Sequence, residues 1–133
     1  MSARTDVALI LWNADVIDLM SFVLLRRNIR SRGIEPSPCA ESILEYIGSC
    51  SPAVVIYDLE PPYDRSAANA LFLLNRLPDC SFVMTCADRG LALRTAPWLT
   101  SHPVFQKPYP VDDVADTVGS MLRRGSRKLV PVS

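Results

Sequence analysis

The sequence predicts an α/β fold, with a mostly parallel sheet covered by helices on both faces. Short apolar runs rich in branched residues are typical of strands that are buried on both sides. Two runs of this kind are "VALILW" (7–12) and "AVVIY" (53–57), and weaker versions are "SFVMTC" (Ser81–Cys86) and "VFQ" (Val104–Gln106). Segments with helical spacing separate them, so strand and helix alternate along the chain. This alternation favours parallel strands joined by right-handed crossovers.

Five segments place apolar residues at the spacing of amphipathic helices. They cover residues 15–29, 40–47, 67–77, 89–98 and 111–124. Each of them follows one expected strand, so the sequence predicts five strand–helix units.

The second strand is expected at residues 33–39, "GIEPSPC", and at the edge of the sheet. Pro36 and Pro38 lack N–H groups, and residues two apart in a strand direct these groups to the same side. In the doubly wound order 2-1-3-4-5 the second strand is an edge strand, whereas the first and third are central and should be the most apolar, as they are here. The predicted fold is a flavodoxin-like three-layer sandwich with a five-stranded parallel sheet and five helices.

Composition and charge limit the kinds of partner. The chain has 133 residues, 49% of them hydrophobic, which suits one domain with a core. It carries 14 basic and 14 acidic residues and no net charge, so no global field attracts nucleic acid or a membrane surface. The apolar run near the N-terminus is too short for a signal-peptide core or a membrane span. We expect a cytoplasmic protein with no membrane partner and no direct nucleic-acid partner.

The cysteines are expected to be reduced thiols of the core. Cys39, Cys50, Cys80 and Cys86 show no CxxC spacing and lie in or beside apolar segments. This pattern favours packed thiols over a zinc site or a disulfide framework.

The C-terminal residues predict a short basic tail. The periodic pattern is lost in "RRGSRKLVPVS", which is rich in arginine and lysine. Basic side chains are favourable at the C-terminal end of a helix. We therefore divide the chain into a domain of residues 1–124 and a basic tail of residues 125–133.

Three chemically different side chains follow expected strands. Asp58 ends the third strand, Thr85 the fourth and Lys107 the fifth. In open parallel sheets, ligands and chemistry collect at the crevice beyond the carboxyl ends of the strands. We expect this carboxylate, hydroxyl and ammonium to converge there.

These positions, together with the "DLEPP" loop and the Lys107–Pro108 dipeptide, resemble the receiver domain of bacterial two-component response regulators (CheY-like) over residues 7–124. The resemblance implies that Asp58 accepts a phosphoryl group from a histidine kinase, that Thr85 is the switch hydroxyl and that Lys107 pairs with the phosphate. It also makes Lys107–Pro108 a candidate cis peptide. A carboxylate is a competent nucleophile toward phosphorus, and the product's charge needs a cation and hydrogen-bond donors. The domain would signal without being an enzyme, since the transfer ends on its own aspartate.

The expected metal site departs from the receiver pattern. Receiver domains carry an acidic pair at the end of the first strand, which binds a divalent metal together with the phosphoacceptor, here Asp58. In this chain the corresponding positions fall within Leu11, Trp12 and Asn13. Because Mg²⁺ is held through carboxylates and waters, we predict a weakened Mg²⁺ site and an atypical receiver. Asp15 is expected to cap the following helix, with a ligand role as the alternative.

The output switch departs from the pattern too. Many receivers place an aromatic residue three positions before the lysine, where this chain has Val104. Phe105 should point to the opposite face by strand alternation and cannot replace that aromatic residue. We expect the usual coupling to the Thr85 hydroxyl to be altered.

The resemblance also implies partners. They are a histidine kinase or another signalling protein, and a homodimer is possible through the face of the fourth helix, fifth strand and fifth helix. Trp98, Tyr109 and Val111 are apolar candidates near that face, with packing in the core or a loop as the alternative for each. The leading hypothesis is a receiver-like domain that acts through protein contacts, with phosphorylation of Asp58 compromised.

Two other classes of function are less well supported. A flavodoxin-like enzyme, or a protein that binds a nucleotide or another small ligand, would need glycine at the first strand-to-helix turn, and none of the five glycines lies there. His102, in a proline-bordered loop, is expected to be solvated and not catalytic. A DNA-binding regulator would need an addition such as a helix-turn-helix, which these residues do not resemble.

Overall fold

The computed structural model describes residues 5–34 and 39–129, of which residues 126–129 are described as backbone only. Within these ranges the strands are β1 (Val7–Ile10), β2 (Ser31–Gly33), β3 (Val54–Leu59), β4 (Ser81–Cys86) and β5 (Val104–Gln106). They form one sheet in the order β2-β1-β3-β4-β5, and every neighbouring pair is parallel. The predicted flavodoxin-like α/β fold and its strand order are confirmed.

The same residues contain the helices α1 (Ala14–Leu25), α2 (Ala40–Cys50), α3 (Tyr63–Arg76), α4 (Arg89–Thr95) and α5 (Val111–Leu129). A 3₁₀ helix, Pro97–Ser101, follows α4. None of these helices is both long and apolar enough to cross a membrane.

Two apolar cores lie on opposite faces of the sheet. Alternate residues of β1 and β3 face one side or the other, which is the period-two alternation of a strand. One core packs the sheet against α2, α3 and α4, and the other packs it against α1 and α5. All of β1 and β3 is buried, which explains why these two strands are the most continuously apolar segments of the sequence.

The edge strand lies earlier in the chain than predicted. β2 pairs Ser31 with Val7 and Gly33 with Leu9, so it shares only Gly33 with the expected segment. The N–H of Ile34 donates to the carbonyl of Leu9 at 2.7 Å and makes the last described bond of this ladder. The edge position is confirmed, but the argument from Pro36 and Pro38 concerns residues outside the described ranges.

Helix boundaries differ from the predicted ones for local reasons. α1 ends at Leu25 and not at residue 29, because Asn28 adopts a left-handed conformation (φ 61°) and the N–H of Ile29 bonds back to the carbonyl of Leu24. α4 ends at Thr95, because Pro97 disfavours the helical conformation for the preceding residue, and Ala96 is non-helical (φ −136°, ψ 84°).

The third and fifth helices are longer than predicted. α3 begins at Tyr63, directly after Pro62, instead of at residue 67. α5 continues to Leu129, past the expected end at Arg124. Residues 130–133 of the expected tail lie outside the described residues, so the division at residue 124 stays a prediction.

The cysteines occupy different environments. Cys86 is buried, and Cys50 and Cys80 are partly buried thiols. Cys39 is exposed at the start of α2, so the expectation of a core position is wrong for this residue.

Candidate functional site

Asp58 and Thr85 are neighbours across the centre of the sheet. The register of β3 and β4 pairs these two residues directly. Asp58 is only 4% exposed and Thr85 is completely buried. The Thr85 hydroxyl donates to Asp58 Oδ1 at 3.0 Å, so one carboxylate oxygen is satisfied from the adjacent strand.

Lys107 completes this group from the next strand. Its backbone N–H donates to the carbonyl of Cys86 at 2.8 Å, which extends the β4–β5 ladder by one residue beyond β5. Its Nζ lies 2.8 Å from Asp58 Oδ2, and about two-fifths of the side chain remains exposed. The structure therefore brings Asp58, Thr85 and Lys107 together, while their roles in phosphoryl transfer stay predictions. The candidate Lys107–Pro108 cis peptide is confirmed.

Glu60 adds a second carboxylate to the site. Its Oε1 lies 3.9 Å from Lys107 Nζ, at the exposed side of the Asp58–Lys107 pair. Burial raises the pKa of Glu60, and so does the nearby charge of Asp58, whereas the attraction of Lys107 acts in the opposite direction. The Lys107 ammonium thus forms ion pairs with two carboxylates, and its contact with Asp58 is the shorter one.

The end of β1 contributes no carboxylate to this site. Leu11 is buried in the core beside α1, and Trp12 is 52% exposed. Asn13 caps α1, where its Oδ1 accepts from the N–H groups of Asp15 at 2.9 Å and Val16 at 3.3 Å. The expectation that Asp15 is the cap is wrong: Asn13 has the extended backbone of an N-cap residue, and Asp15 lies in the first turn.

The residues present do not fit the Mg²⁺ site that the resemblance implies. Mg²⁺ requires a near-octahedral shell of oxygen ligands. Both oxygens of Asp58 accept hydrogen bonds from protein groups, and the amide oxygen of Asn13 is taken up by the helix cap. Within residues 5–34 and 39–129, no three His, Cys, Asp or Glu side chains are grouped so that they could hold a metal ion.

Tyr109 is a site residue that the sequence reasoning assigned elsewhere. Burial raises the pKa of the Tyr109 phenol, and so does the nearby charge of Asp58, whereas the Thr85 side chain acts in the opposite direction. Its ring packs at a tilt against Phe105, with centroids 6.2 Å apart. The sequence feature that could have placed Tyr109 at the site is its position two residues after Lys107.

The two residues before Gln106 face opposite cores, as predicted. Val104 packs against the core of α2, α3 and α4, and Phe105 packs against the core of α1 and α5. Arg89 ties β5 to the start of α4: its N–H donates to Gln106 Oε1 at 2.9 Å and its Nε to the Val104 carbonyl at 3.2 Å.

Side-chain hydrogen bonds also hold the loops beside Asp58. Ser66 Oγ accepts from the N–H of Glu60 at 3.1 Å. Tyr63 Oη accepts from the N–H of Asp88 at 2.9 Å, and Asp88 Oδ1 accepts from the N–H of Leu91 at 3.0 Å, which caps α4. The loops after β3 and β4 are thus joined through the first turn of α3.

The expected apolar partner surface is only partly exposed. Trp98 packs against one core and makes an edge contact with His102, with ring centroids 5.8 Å apart. Tyr109 and Val111 pack against the other core. His102 is partly buried and not fully solvated as expected, and this burial lowers its pKa. Dimerisation through the α4–β5–α5 face stays a prediction.

No protein-family model and no curated protein matches the sequence. Solved structures do match, at low sequence identity. The signal receiver domain of a putative LuxO repressor protein from Vibrio parahaemolyticus has a TM-score of 0.73 and 16% identity, with 95% of each chain covered.

Two further structures extend the comparison. A CheY-like response regulator receiver domain from Methanospirillum hungatei has a TM-score of 0.76 and 11% identity, and the match covers 95% of this chain and 99% of the other. HP1043, an orphan response regulator of H. pylori, has a TM-score of 0.68 and 12% identity, with 91% and 100% covered. At these identities the comparisons establish a shared fold, that of response-regulator receiver domains.

Proposed function

We propose that this chain is an atypical receiver domain of two-component signalling, in which Asp58 is held in a direct ion pair and signalling proceeds through protein contacts. The observation that carries the proposal is the buried Asp58 carboxylate, bonded by Lys107 at 2.8 Å and by Thr85 at 3.0 Å. The receiver fold supplies the context, and a histidine kinase or another signalling protein is the expected partner.

Charge compensation explains why phosphorylation should be inefficient. Transfer to Asp58 forms a bond between a carboxylate oxygen and phosphorus, while the bond from phosphorus to the donor's leaving group breaks. The attacking oxygen also accepts a hydrogen bond from Thr85 or Lys107, which draws electron density from it and lowers its nucleophilicity. The incoming negative charge then depends on Lys107 and backbone N–H groups, which disfavours the transition state. Any phosphoryl group ends on the protein itself, so the proposed role is signalling and not turnover of a substrate.

Mass spectrometry of the intact protein tests this proposal. The chain is incubated with Mg²⁺ and an acyl phosphate, and we expect at most a small fraction of phosphorylated protein. The matched control is Asp58→Asn, which removes the proposed acceptor while keeping the shape of the side chain. A stoichiometric adduct that disappears in Asp58→Asn would contradict the proposal that phosphorylation of Asp58 is inefficient.

A gain-of-function variant makes the same test sharper. Trp12→Asp combined with Asn13→Asp places two acids at the end of β1, and aspartate preserves the helix cap. We expect Mg²⁺-dependent phosphorylation of Asp58 to rise at least about tenfold, a change of about 1.4 kcal/mol in the barrier. If the variant folds but gains no adduct, the missing acids are not what limits the reaction.

The nucleotide-binding alternative has no support from the first strand-to-helix turn. A phosphate cradle needs free backbone N–H groups at the start of the helix. At α1 the Asn13 side chain already accepts from two of them.

A further inference from the structure

The side of α1 that faces away from its core carries exposed apolar residues. Leu19, Phe22 and Leu25 are 51%, 58% and 62% exposed, whereas Met20 and Leu24 of the same helix are fully buried. The spacing of three residues places the exposed side chains along one side of the helix. Single exposed apolar residues are common, but a continuous stripe of this kind marks a contact surface. We call these three residues the α1 stripe.

The α1 stripe and the charges beside it are symmetric about Phe22. Asp18 lies four residues before Phe22 and Arg26 lies four residues after it, and both are exposed. Leu19 and Leu25 lie three residues before and three after. With a rise of 1.5 Å per residue, Asp18 and Arg26 are each about 6 Å from Phe22 along the helix axis.

This symmetry fits a second copy of the same helix. If two α1 helices pack antiparallel on a two-fold axis at Phe22, the two Phe22 rings meet and Leu19 faces Leu25 of the partner subunit. Asp18 then faces Arg26 of the partner subunit, and the same contact is repeated on the other side of the axis. A two-fold interface requires this self-complementary arrangement of one surface. The antiparallel helix dipoles favour it as well.

We propose that the chain forms a two-fold homodimer through the α1 stripe. The groups beside the stripe support this orientation. Arg27 is held by Asp112 and Asp116 of α5, whereas Arg26 lies over the Phe22 ring, 5.9 Å from its centroid. The Arg26 guanidinium is therefore placed at the stripe, where Asp18 of the partner subunit would meet it.

The area of the α1 stripe limits the expected affinity of the dimer. A standard protein interface buries about 1,600 Å² in total, and one pair of short helices covers less than that. Trp12, just before α1, is a further exposed apolar side chain, at 52%. A shallow depression between α1 and α5, bordered by Phe22, Val23 and Asp112, gives room for a side chain of the partner subunit. We expect a weak dimer that dissociates on dilution.

Sedimentation equilibrium over about 10 μM to 1 mM tests the proposal, because this range covers dissociation constants typical of weak association. The wild-type mass should rise from monomer toward dimer with concentration. Phe22→Asp should weaken association at least about tenfold, since each dimer loses both rings of its central aromatic contact. The matched control is Leu91→Asp, which alters an exposed leucine on α4 (44% exposed) and should leave association unchanged.

A charge exchange tests the orientation. Asp18→Arg and Arg26→Asp should each weaken the dimer by placing like charges opposite each other, and the double variant should restore it. Asp58→Asn should leave the dimer intact, which separates this proposal from the phosphorylation test. Circular dichroism checks that each variant is folded.

Three outcomes would overturn the proposal. A monomeric wild-type chain at every concentration would leave the α1 stripe to a different protein. Loss of the dimer in Leu91→Asp but not in Phe22→Asp would assign association to the α4 face. Failure of the double variant to regain association would exclude the antiparallel register.

Discussion

Glu60 shows how a single partly buried residue responds to the electrostatics of the site. Burial and the nearby Asp58 carboxylate raise the pKa of Glu60, and Lys107 compensates only in part. A carboxyl group whose pKa is higher in the folded state than in the unfolded state binds its proton more tightly in the folded state. Its ionisation therefore lowers the free energy of unfolding as pH rises through the normal glutamate range.

Glu60→Gln should consequently stabilise the protein at pH 7. We expect a gain below about 1 kcal/mol, because the side chain is 42% exposed and solvent screens its charge. The gain should vanish as pH falls below about 4, where the wild-type glutamate is protonated as well. Chemical denaturation at pH 7 and pH 3.5 measures the difference, with the exposed residue Glu45, changed to Gln, as the control. A Glu60→Gln variant less stable than wild type at pH 7 would show that the contact with Lys107 dominates.

Residue-level contacts were only partly predictable. The convergence of Asp58, Thr85 and Lys107 follows from strand ends, because parallel strands finish at the same edge of a sheet. The ring contact of Tyr109 with Phe105 depends on how the chain turns after Lys107, and no periodic pattern encodes that turn. Asn13 and not Asp15 caps α1 for a similar reason: the choice depends on which residue has extended backbone angles.

At the scale of elements, β2 and α1 approach each other closely at Gly33. A Cβ atom added there would lie 2.7 Å from Cγ2 of Ile17, closer than side-chain atoms pack in proteins. A residue larger than glycine therefore fits there only if the Ile17 side chain or α1 itself moves.

Gly33→Ala should lower the free energy of unfolding by about 1–3 kcal/mol, the usual cost of overpacking. Gly48→Ala is the matched control, since nothing lies within 4 Å of its added Cβ and the residue is inside α2. There the change should be stabilising by about 0.5–1 kcal/mol, because alanine favours the helix. Urea denaturation compares the two variants, and equal effects would show that Ile17 or α1 can shift away from β2 at little cost.

Elements were more predictable than their ends. Burial on both faces produces the apolar runs of β1 and β3, and the edge strand β2 is the least apolar of the five described strands. The ends depend on single residues that break the pattern locally, namely Asn28 after α1, Pro62 before α3 and Pro97 after α4. Such residues can be recognised in a sequence. The exact residue at which the helix begins or ends beside them, however, depends on hydrogen bonds within the turn.

At the scale of the whole molecule, one central sheet contributes side chains to both apolar cores. β1 and β3 supply side chains to the layer of α1 and α5 and to the layer of α2, α3 and α4. Loss of packing on one face should therefore weaken the strands on which the other face is built. We expect the two layers to unfold together in a single cooperative transition.

The two tryptophans allow this coupling to be measured. Trp98 packs in the layer of α2, α3 and α4, so Trp12→Phe leaves one fluorescent reporter on that side of the sheet. Leu24→Ala in this background creates a cavity on the opposite face, where Leu24 is fully buried, and should cost about 2–5 kcal/mol. Trp98 fluorescence and far-ultraviolet circular dichroism should then show the same shift in urea midpoint. A Trp98 transition that stays at its original midpoint, while the circular dichroism signal moves, would mean that the layers unfold separately and that a change on the α1 face is not transmitted through the sheet.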